Sequence, residues 1–201
     1  MSGPGNGGHS HDAARPTERS DRELVERLKA YDELAIRQVY RLYSDAIYRY
    51  ALYQCGDPTL AEDVAGEVFV RMMESIGSYT YRGMPLSAWL YRIARNLVID
   101  QQRRGSRLRP LDEADESRLV SENPVDVAEG RLSWAELQGL LGELTDEQRQ
   151  VIVLKFIENL DNNEVAQVIG KSEGSVKALQ HRALRSLRRL MEKRGSYAGR
   201  A

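Results

Sequence analysis

The sequence predicts an all-α protein built as two small helical domains joined by a flexible acidic linker. Three observations carry that expectation. Apolar residues recur at three- and four-residue steps through both halves of the chain. No alternating β-branched run bounded by turn residues occurs. Between residues 105 and 125 the periodicity fails, and acids, Ser and Pro accumulate. A chain of 201 residues, 41 % of them apolar, suffices for one large domain or two small ones. The acidic break decides for two, over residues 21–104 and 126–192.

Residues 1–20 lack an apolar segment and are rich in Gly, Ser and His, so they are expected to be a disordered tail, with no signal peptide. Residues 193–201 form a second tail, and no regulatory extension is expected after Met191. Leu24 and Leu28 mark a first short helix. Ile36, Val39, Tyr40, Tyr43, Ile47, Tyr50 and Ala51 then line one face of a long one. Asp57-Pro58 opens the third, because an Asp N-cap accepts orphan backbone N–H groups and Pro tolerates the first helical position. Its apolar stripe is Ala61, Val64, Ala65, Val68, Phe69, Met72 and Ile76, with Glu62, Asp63, Glu67, Arg71 and Glu74 opposite. An irregular segment follows from Gly77 to Pro85. The fourth helix packs Leu86, Trp89, Leu90, Ile93, Leu97 and Val98 to close the first domain.

In the second domain Trp134, Leu137, Leu141 and Leu144 form the first stripe. Thr145 to Gln148 reads as a capping box, and Asp161 to Glu164 repeats that logic one helix later. Each cap contributes about 1 kcal/mol, which weighs most in short helices. The most specific local pattern runs from Asn162 to Arg182. Val165 and Ile169 point inward, Ala166 is small enough for a close helix crossing, and Gly170 suits a left-handed turn. Ser172 can cap a following helix that buries Val176 and Leu179. This spacing predicts a helix-turn-helix. The exposed side of its second helix carries Ser172, Glu173, Ser175, Lys177, Gln180, His181, Arg182 and Arg185, donors and acceptors suited to base edges and phosphates. The competing reading is a helical hairpin with an ordinary polar face.

The net charge of −1 conceals blocks of opposite sign. Residues 71–111 hold eight bases and two acids, and residues 171–201 hold nine bases and two acids. Residues 112–130, by contrast, hold one base and seven acids. Local positive patches are what displace counterions from phosphates, so two basic blocks predict two contacts with nucleic acid. Within the first, Arg92, Arg95, Asn96, Arg103 and Arg104 lie off the apolar face of their helix, whereas Trp89 is assigned to the core. Tyr79, Tyr81 and Arg82 precede that helix on the irregular segment. There the tyrosines either stack on unpaired bases or cover a domain edge.

Other chemistries find little support. The single cysteine, Cys55, cannot form an internal disulfide, which fits a reducing cytosol. No apolar run approaches the roughly 18 residues of a membrane span, so no membrane insertion is expected. Gly170-Lys171-Ser172 superficially suggests a phosphate loop, but Val165 stands where its first Gly belongs and no strand precedes it. No catalytic constellation, metal-ligand spacing or cofactor motif appears, so the expectation is a non-enzyme with no metal or cofactor.

Taken together, VYRLYSDAIYRYAL, GDPTLAEDVAGEVFVRM, WLYRIARNLVIDQQRR and LTDEQRQVIVLKFIENLDNNEVAQVIGKSEGSVKALQHRAL resemble, in order and spacing, the extracytoplasmic-function (ECF) sigma factors of the sigma-70 family. The resemblance spans about residues 21–192. It implies a cytoplasmic protein that binds bacterial core RNA polymerase, recognises −10 and −35 promoter elements and promotes strand opening. On that basis residues 21–104 correspond to region 2 and residues 126–192 to region 4. Asp57, Glu62, Asp63, Glu67 and Arg71 then look like the polymerase-docking surface. Tyr81, Arg82 and the following helix look like the element that melts the −10 region, with Asn96 near a base flipped from the stack. The helix-turn-helix is expected to read duplex DNA at −35. An anti-sigma factor is a possible further partner. The acidic linker, by the same resemblance, passes through the polymerase cleft, and neutralising Asp112, Glu113, Asp115 and Glu116 should then alter initiation or promoter escape. Two alternatives stand beside this reading: a free-standing helix-turn-helix regulator, and a sigma-like adaptor that does not melt promoters.

Overall fold

The computed structural model describes residues 18–80, 84–108 and 134–198, all helices, turns and short connections, with no strand among them. Tyr81, Arg82 and nearly all of the acidic linker lie outside the described residues. The first module holds α1 (Glu18–Lys29), α2 (Glu33–Cys55), α3 (Pro58–Ser75) and α4 (Leu86–Leu108). The second holds α5 (Trp134–Gly142), α6 (Asp146–Ile152), α7 (Asn162–Ile169) and α8 (Glu173–Ala198).

Local chemistry sets most boundaries. Asp32 caps α2 by accepting the Leu34 N–H at 2.8 Å, and Gly56 ends that helix in the left-handed region at φ 70°. Asp57 caps α3, accepting from Thr59 at 2.9 Å and Leu60 at 3.2 Å, with Pro58 in the first turn. Both expected capping boxes are formed. Thr145 and Gln148 exchange bonds at 3.3 and 3.4 Å, and Asp161 and Glu164 exchange two at 2.7 Å. Past α6 the chain widens into a π-helical turn over Val153–Ile157, a departure that 3.6-residue periodicity does not announce. Two helices also run longer than their apolar patterns suggest. α4 continues through Gly105 to Leu108, and α8 extends past residue 192 to Ala198.

In the first module α2 lies along α3 and α4, burying Val39, Ile47 and Tyr50 against Val64, Val68, Met72, Leu86 and Leu90. α1 closes one end through Leu24, Val25 and Leu28. Its Asp21 is buried and accepts the Leu86 N–H where α4 begins. Burial raises the Asp21 pKa above the usual carboxylate range, and the Leu86 bond opposes that shift. One residue assigned to the core stripe of α2 is not there: Tyr40 is 55 % exposed, its ring tilted against Phe69 of α3 at 4.9 Å.

The second module packs α8 against α6 and, across the turn, against α7, around Val151, Leu154, Val165, Val176 and Ala183. The two modules are in contact. α7 lies on α4, and both α6 and the π-helical turn touch α2. The composition of the linker suggested a plain tether and gave no sign of this packing.

Candidate nucleic-acid interface

The helix-turn-helix is formed as its spacing predicts. Gly170 adopts φ 70° and its N–H bonds the Ala166 carbonyl, which turns the chain sharply between α7 and α8. A Cβ at Gly170 would meet nothing within 4 Å, so the requirement for glycine is conformational rather than steric. Ser172 accepts the Ser175 N–H at 3.3 Å and so opens α8. Val176, Leu179 and Ala183 are buried against α6 and α7. The opposite face presents Glu173, Ser175, Lys177, His181, Arg182 and Arg185 to solvent.

Two polar residues of this motif bind within the module instead of facing outward. The Gln180 amide donates to Asn162 Oδ1 at 2.7 Å, fixing α8 to the start of α7, so Gln180 is half-buried and tied at one end. Lys171 pairs with Glu147 at 2.9 Å, bracing the turn against α6.

On α4 the expected DNA-facing set divides. Arg92, Asn96, Arg103 and Arg104 are exposed, and Arg92, Asn96 and Arg103 recur on one side of the helix. Arg95 is turned away from them. Its Nε donates to Gln150 Oε1 of α6 at 2.9 Å, across the contact between modules. Just before α4, Tyr79 is buried with its ring 4.7 Å from Trp89 and its hydroxyl donating to the Met84 carbonyl at 2.6 Å. Tyr79 and Trp89 are therefore packing residues, and Tyr79 covers a domain edge. The Tyr79 bond also ties together the two ends of the segment that carries Tyr81 and Arg82.

A third surface lies on α3. Glu62 and Asp63 are exposed, while Glu67 is paired with Arg71 at 2.7 Å, with Glu74 a further 3.7 Å partner of that arginine. Asp57 is spent on its cap. Beside these charges Val70 is 51 % exposed, close in sequence to the Tyr40–Phe69 ring pair. Periodicity placed Tyr40 and Phe69 in the core and passed over Val70. The signal for an apolar surface here was Val70 itself, an apolar residue standing off the α3 stripe.

The residue that sequence reasoning missed altogether is Glu158, just after the π-helical turn. Both its oxygens are bound by Arg49, at 2.8 and 2.7 Å, and the Tyr91 hydroxyl donates to one of them at 2.8 Å. Burial pushes the Tyr91 pKa well above the ordinary tyrosine value, and the charge and hydrogen bond of Glu158 raise it further. Arg49 and Tyr91 belong to the first module and Glu158 to the second, so nothing in local spacing could link them.

Among the described residues no cluster of His, Cys, Asp and Glu could hold a metal ion, and no helix is long and apolar enough to cross a membrane. The chain has known relatives over both modules. Residues 39–108 match the family described as Sigma-70 region 2, and residues 140–189 match Sigma-70, region 4. Over 172 residues the sequence is 40 % identical to the ECF RNA polymerase sigma factor BldN of Streptomyces coelicolor, covering 84 % of this chain but only 65 % of BldN. It is 31 % identical over 187 residues to the ECF RNA polymerase sigma factor SigD of Mycobacterium tuberculosis, covering 90 % of this chain and 88 % of SigD. The solved structure of CnrH in complex with the cytosolic domain of CnrY superimposes with a TM-score of 0.67 at 26 % identity, over 86 % of this chain and 97 % of CnrH. A sigma factor RpoE from Bartonella quintana, solved with the anti-sigma factor NepR, shares the fold at a TM-score of 0.65 and 24 % identity, over 78 % of this chain and 96 % of that one.

Proposed function

The chain belongs to the extracytoplasmic-function sigma factors of the sigma-70 family, and on that premise we propose how its own residues direct RNA polymerase to a promoter. The observation that carries the proposal is the presence of two separate polar faces on two modules, one on α4 and one on α8. A repressor reading a single duplex site needs only the second.

In this reading α8 enters the major groove at −35. Ser172, Glu173 and Ser175, at its N-terminal end, lie nearest the base edges, with Lys177 one turn further on, while Gln180, held by Asn162, sets the pose of the helix. His181, Arg182 and Arg185 reach the flanking phosphates and supply salt-dependent affinity by releasing counterions. At −10 the strand must leave the duplex. Unstacking a base costs a few kcal/mol, which the protein recovers by holding that base out of the stack. Asn96 offers both a donor and an acceptor for a flipped base, Arg92, Arg103 and Arg104 hold the backbone, and Tyr81 and Arg82 stack on or bond the opened strand. Glu62, Asp63, Glu67 and Arg71, with the neighbouring Val70, dock the core enzyme; Asp57 contributes by shaping the start of α3. Phosphodiester chemistry stays with polymerase, and no catalytic step is assigned to this chain. The protein acts in the cytoplasm, where its partners are core polymerase and promoter DNA. An anti-sigma factor completes the set, a suggestion prompted by the complexes in which CnrH and RpoE were solved.

Promoter-directed transcription in vitro tests the proposal, using bacterial core polymerase with and without the protein on a library of promoter-like templates. Defined start sites that require both components are the expected result, with Asn96→Ala reducing their yield about 10-fold or more, the cost of losing one or two hydrogen bonds to a captured base. Tight binding to duplex sites by the protein alone, with no initiation from any core enzyme, would instead identify a free-standing regulator.

A further inference from the structure

α2, α3, α6, α7 and α8 each open on a side-chain cap of their own. Asp32, Asp57, Thr145, Asp161 and Ser172 stand just before them and accept a backbone N–H of the first turn. α4, the helix that carries Arg92 and Asn96, differs. The Pro85 carbonyl accepts the Trp89 N–H at 3.1 Å, which puts Pro85 at the cap position, and a proline ring offers no oxygen to the free N–H groups that follow. Leu86 and Ala88 are fully buried, so the first turn of α4 faces into the protein, where an unbonded N–H is costly.

The missing acceptor comes from another helix. Asp21 of α1 is 5 % exposed, and its carboxylate accepts the Leu86 N–H. Its Oδ1 finds no hydrogen-bond partner among the described residues, so the bond to Leu86 is the one that offsets its burial. Leu24, Val25 and Leu28 bury α1 against α2 and the turn at 76–78, which gives the carboxylate a fixed mounting. Taking a carboxylate out of water is unfavourable, and an apolar side chain would fill the same space with a smaller penalty. What an apolar residue cannot do is accept an N–H at the positive end of a helix. Tyr79 holds the same end of α4 from a second side, through its hydroxyl on the Met84 carbonyl at 2.6 Å and its ring 4.7 Å from Trp89.

Arg92 lies less than two helical turns beyond Leu86, with Asn96 about one turn further on. We propose that Asp21 is a positioning residue for strand opening: it is the N-cap of α4, supplied by α1, and it fixes the end of the helix from which Arg92 and Asn96 meet the −10 strand. α1 thus has a function besides closing one end of the core. Without the cap the first turn of α4 frays, Trp89 loses its hold on Tyr79, and Arg92 and Asn96 project from a less rigid helix. Reading of the −35 duplex by α8 does not pass through this contact. What Asp21 does for the strand rests on the function proposed above; the cap itself rests only on the contacts at Leu86.

Three variants of the full chain test it: Asp21→Ala, Asp21→Asn, and Asp21→Ala combined with Pro85→Asp. The last moves the acceptor to the ordinary cap position without restoring the tie to α1. Hydrogen–deuterium exchange of the free protein reads the cap. The amides of residues 86–88 should exchange about tenfold faster in Asp21→Ala and return toward the parent rate with Pro85→Asp. With core polymerase, promoter binding and strand opening are measured as separate steps, opening by the fluorescence of 2-aminopurine placed at −10. Asp21→Ala should slow opening about tenfold and leave binding within about twofold, and Pro85→Asp should recover most of the rate. Asp21→Asn keeps an acceptor and loses the charge, so it should slow opening only about two- to threefold. It and its own combination with Pro85→Asp decide the matter if Asp21→Ala does not fold. Unchanged exchange at 86–88 in every folded variant overturns the cap. Opening that is unchanged while exchange accelerates overturns the positioning role. Slow opening that Pro85→Asp fails to recover, although it restores exchange, overturns that role as well, since the defect is then a general weakness of the fold. A parent protein that opens no promoter with any core enzyme overturns the function above and the positioning role with it, and exchange alone then decides the cap.

Discussion

Tyr50 is fully buried, its ring edge-on to Tyr91 at 5.5 Å, and its hydroxyl finds no hydrogen-bond partner among the described residues. Removing a stranded hydroxyl while keeping the ring should stabilise the protein, so Tyr50→Phe is expected to add about 1 kcal/mol and raise the melting midpoint by a few degrees. Calorimetry at neutral pH checks this, and a lowered midpoint would show that the hydroxyl is satisfied. The same tyrosines make stability depend on pH. Burial raises the pKa values of Tyr43, Tyr50 and Tyr91, which keeps them neutral in the fold. An acid whose folded pKa lies above its unfolded value near 10 contributes stability that is present below that value and is lost as pH rises further. Urea unfolding should therefore give a midpoint that falls above about pH 10, with a shallower fall in Tyr50→Phe. Burial of Tyr50 was legible from its place in the α2 stripe. The ion pair of Glu158 was not, because its partners lie 109 and 67 positions away and only the packing of modules brings them together.

Elements were most legible where side chains bond their own backbone. Asp57, Thr145, Asp161 and Ser172 each cap the helix expected of them, and Gly170 takes the left-handed turn, because these are local bargains settled within three or four residues. Gly170→Ala meets no clash but must hold φ near 70°, so it should cost about 1 kcal/mol in urea unfolding and weaken binding to a −35 duplex; Gly170→Asn should cost less. An alanine variant as stable as the parent would mean that the turn tolerates another conformation. For the outer face of α8, Arg182→Ala and Arg185→Ala should each flatten the salt dependence of duplex binding by about one unit of slope, as expected of phosphate contacts. A change confined to particular base pairs would reassign them to base reading. Periodicity misled at Tyr40, since a stripe wide enough to be core on one side leaves its edge residues at the surface. The lengths of α4 and α8 were understated for a related reason: polar helical turns beyond the packed region carry no apolar signal.

For the whole molecule, charge distribution along the sequence said more than net charge. Most of the described bases of the two blocks lie on α4 and α8, where Arg92, Arg103, Arg104, Lys177, Arg182 and Arg185 are exposed. What composition could not foretell is that the modules would meet and that Arg95, one of the bases counted toward DNA, would be turned onto Gln150. A charged residue off the apolar face is available to any polar partner, and the sequence does not rank them. The central claim is that α4 opens and holds a strand while α8 reads duplex, within one polymerase complex. Permanganate reactivity of thymines, combined with a nuclease footprint on a promoter bound by core polymerase and this protein, tests it most directly. The expected result is protection at −35 with reactive thymines at −10, the reactivity lost in Asn96→Ala while the −35 protection remains. Reactive thymines that persist in Asn96→Ala, or a complex that protects −35 and never opens −10, would contradict that division of labour.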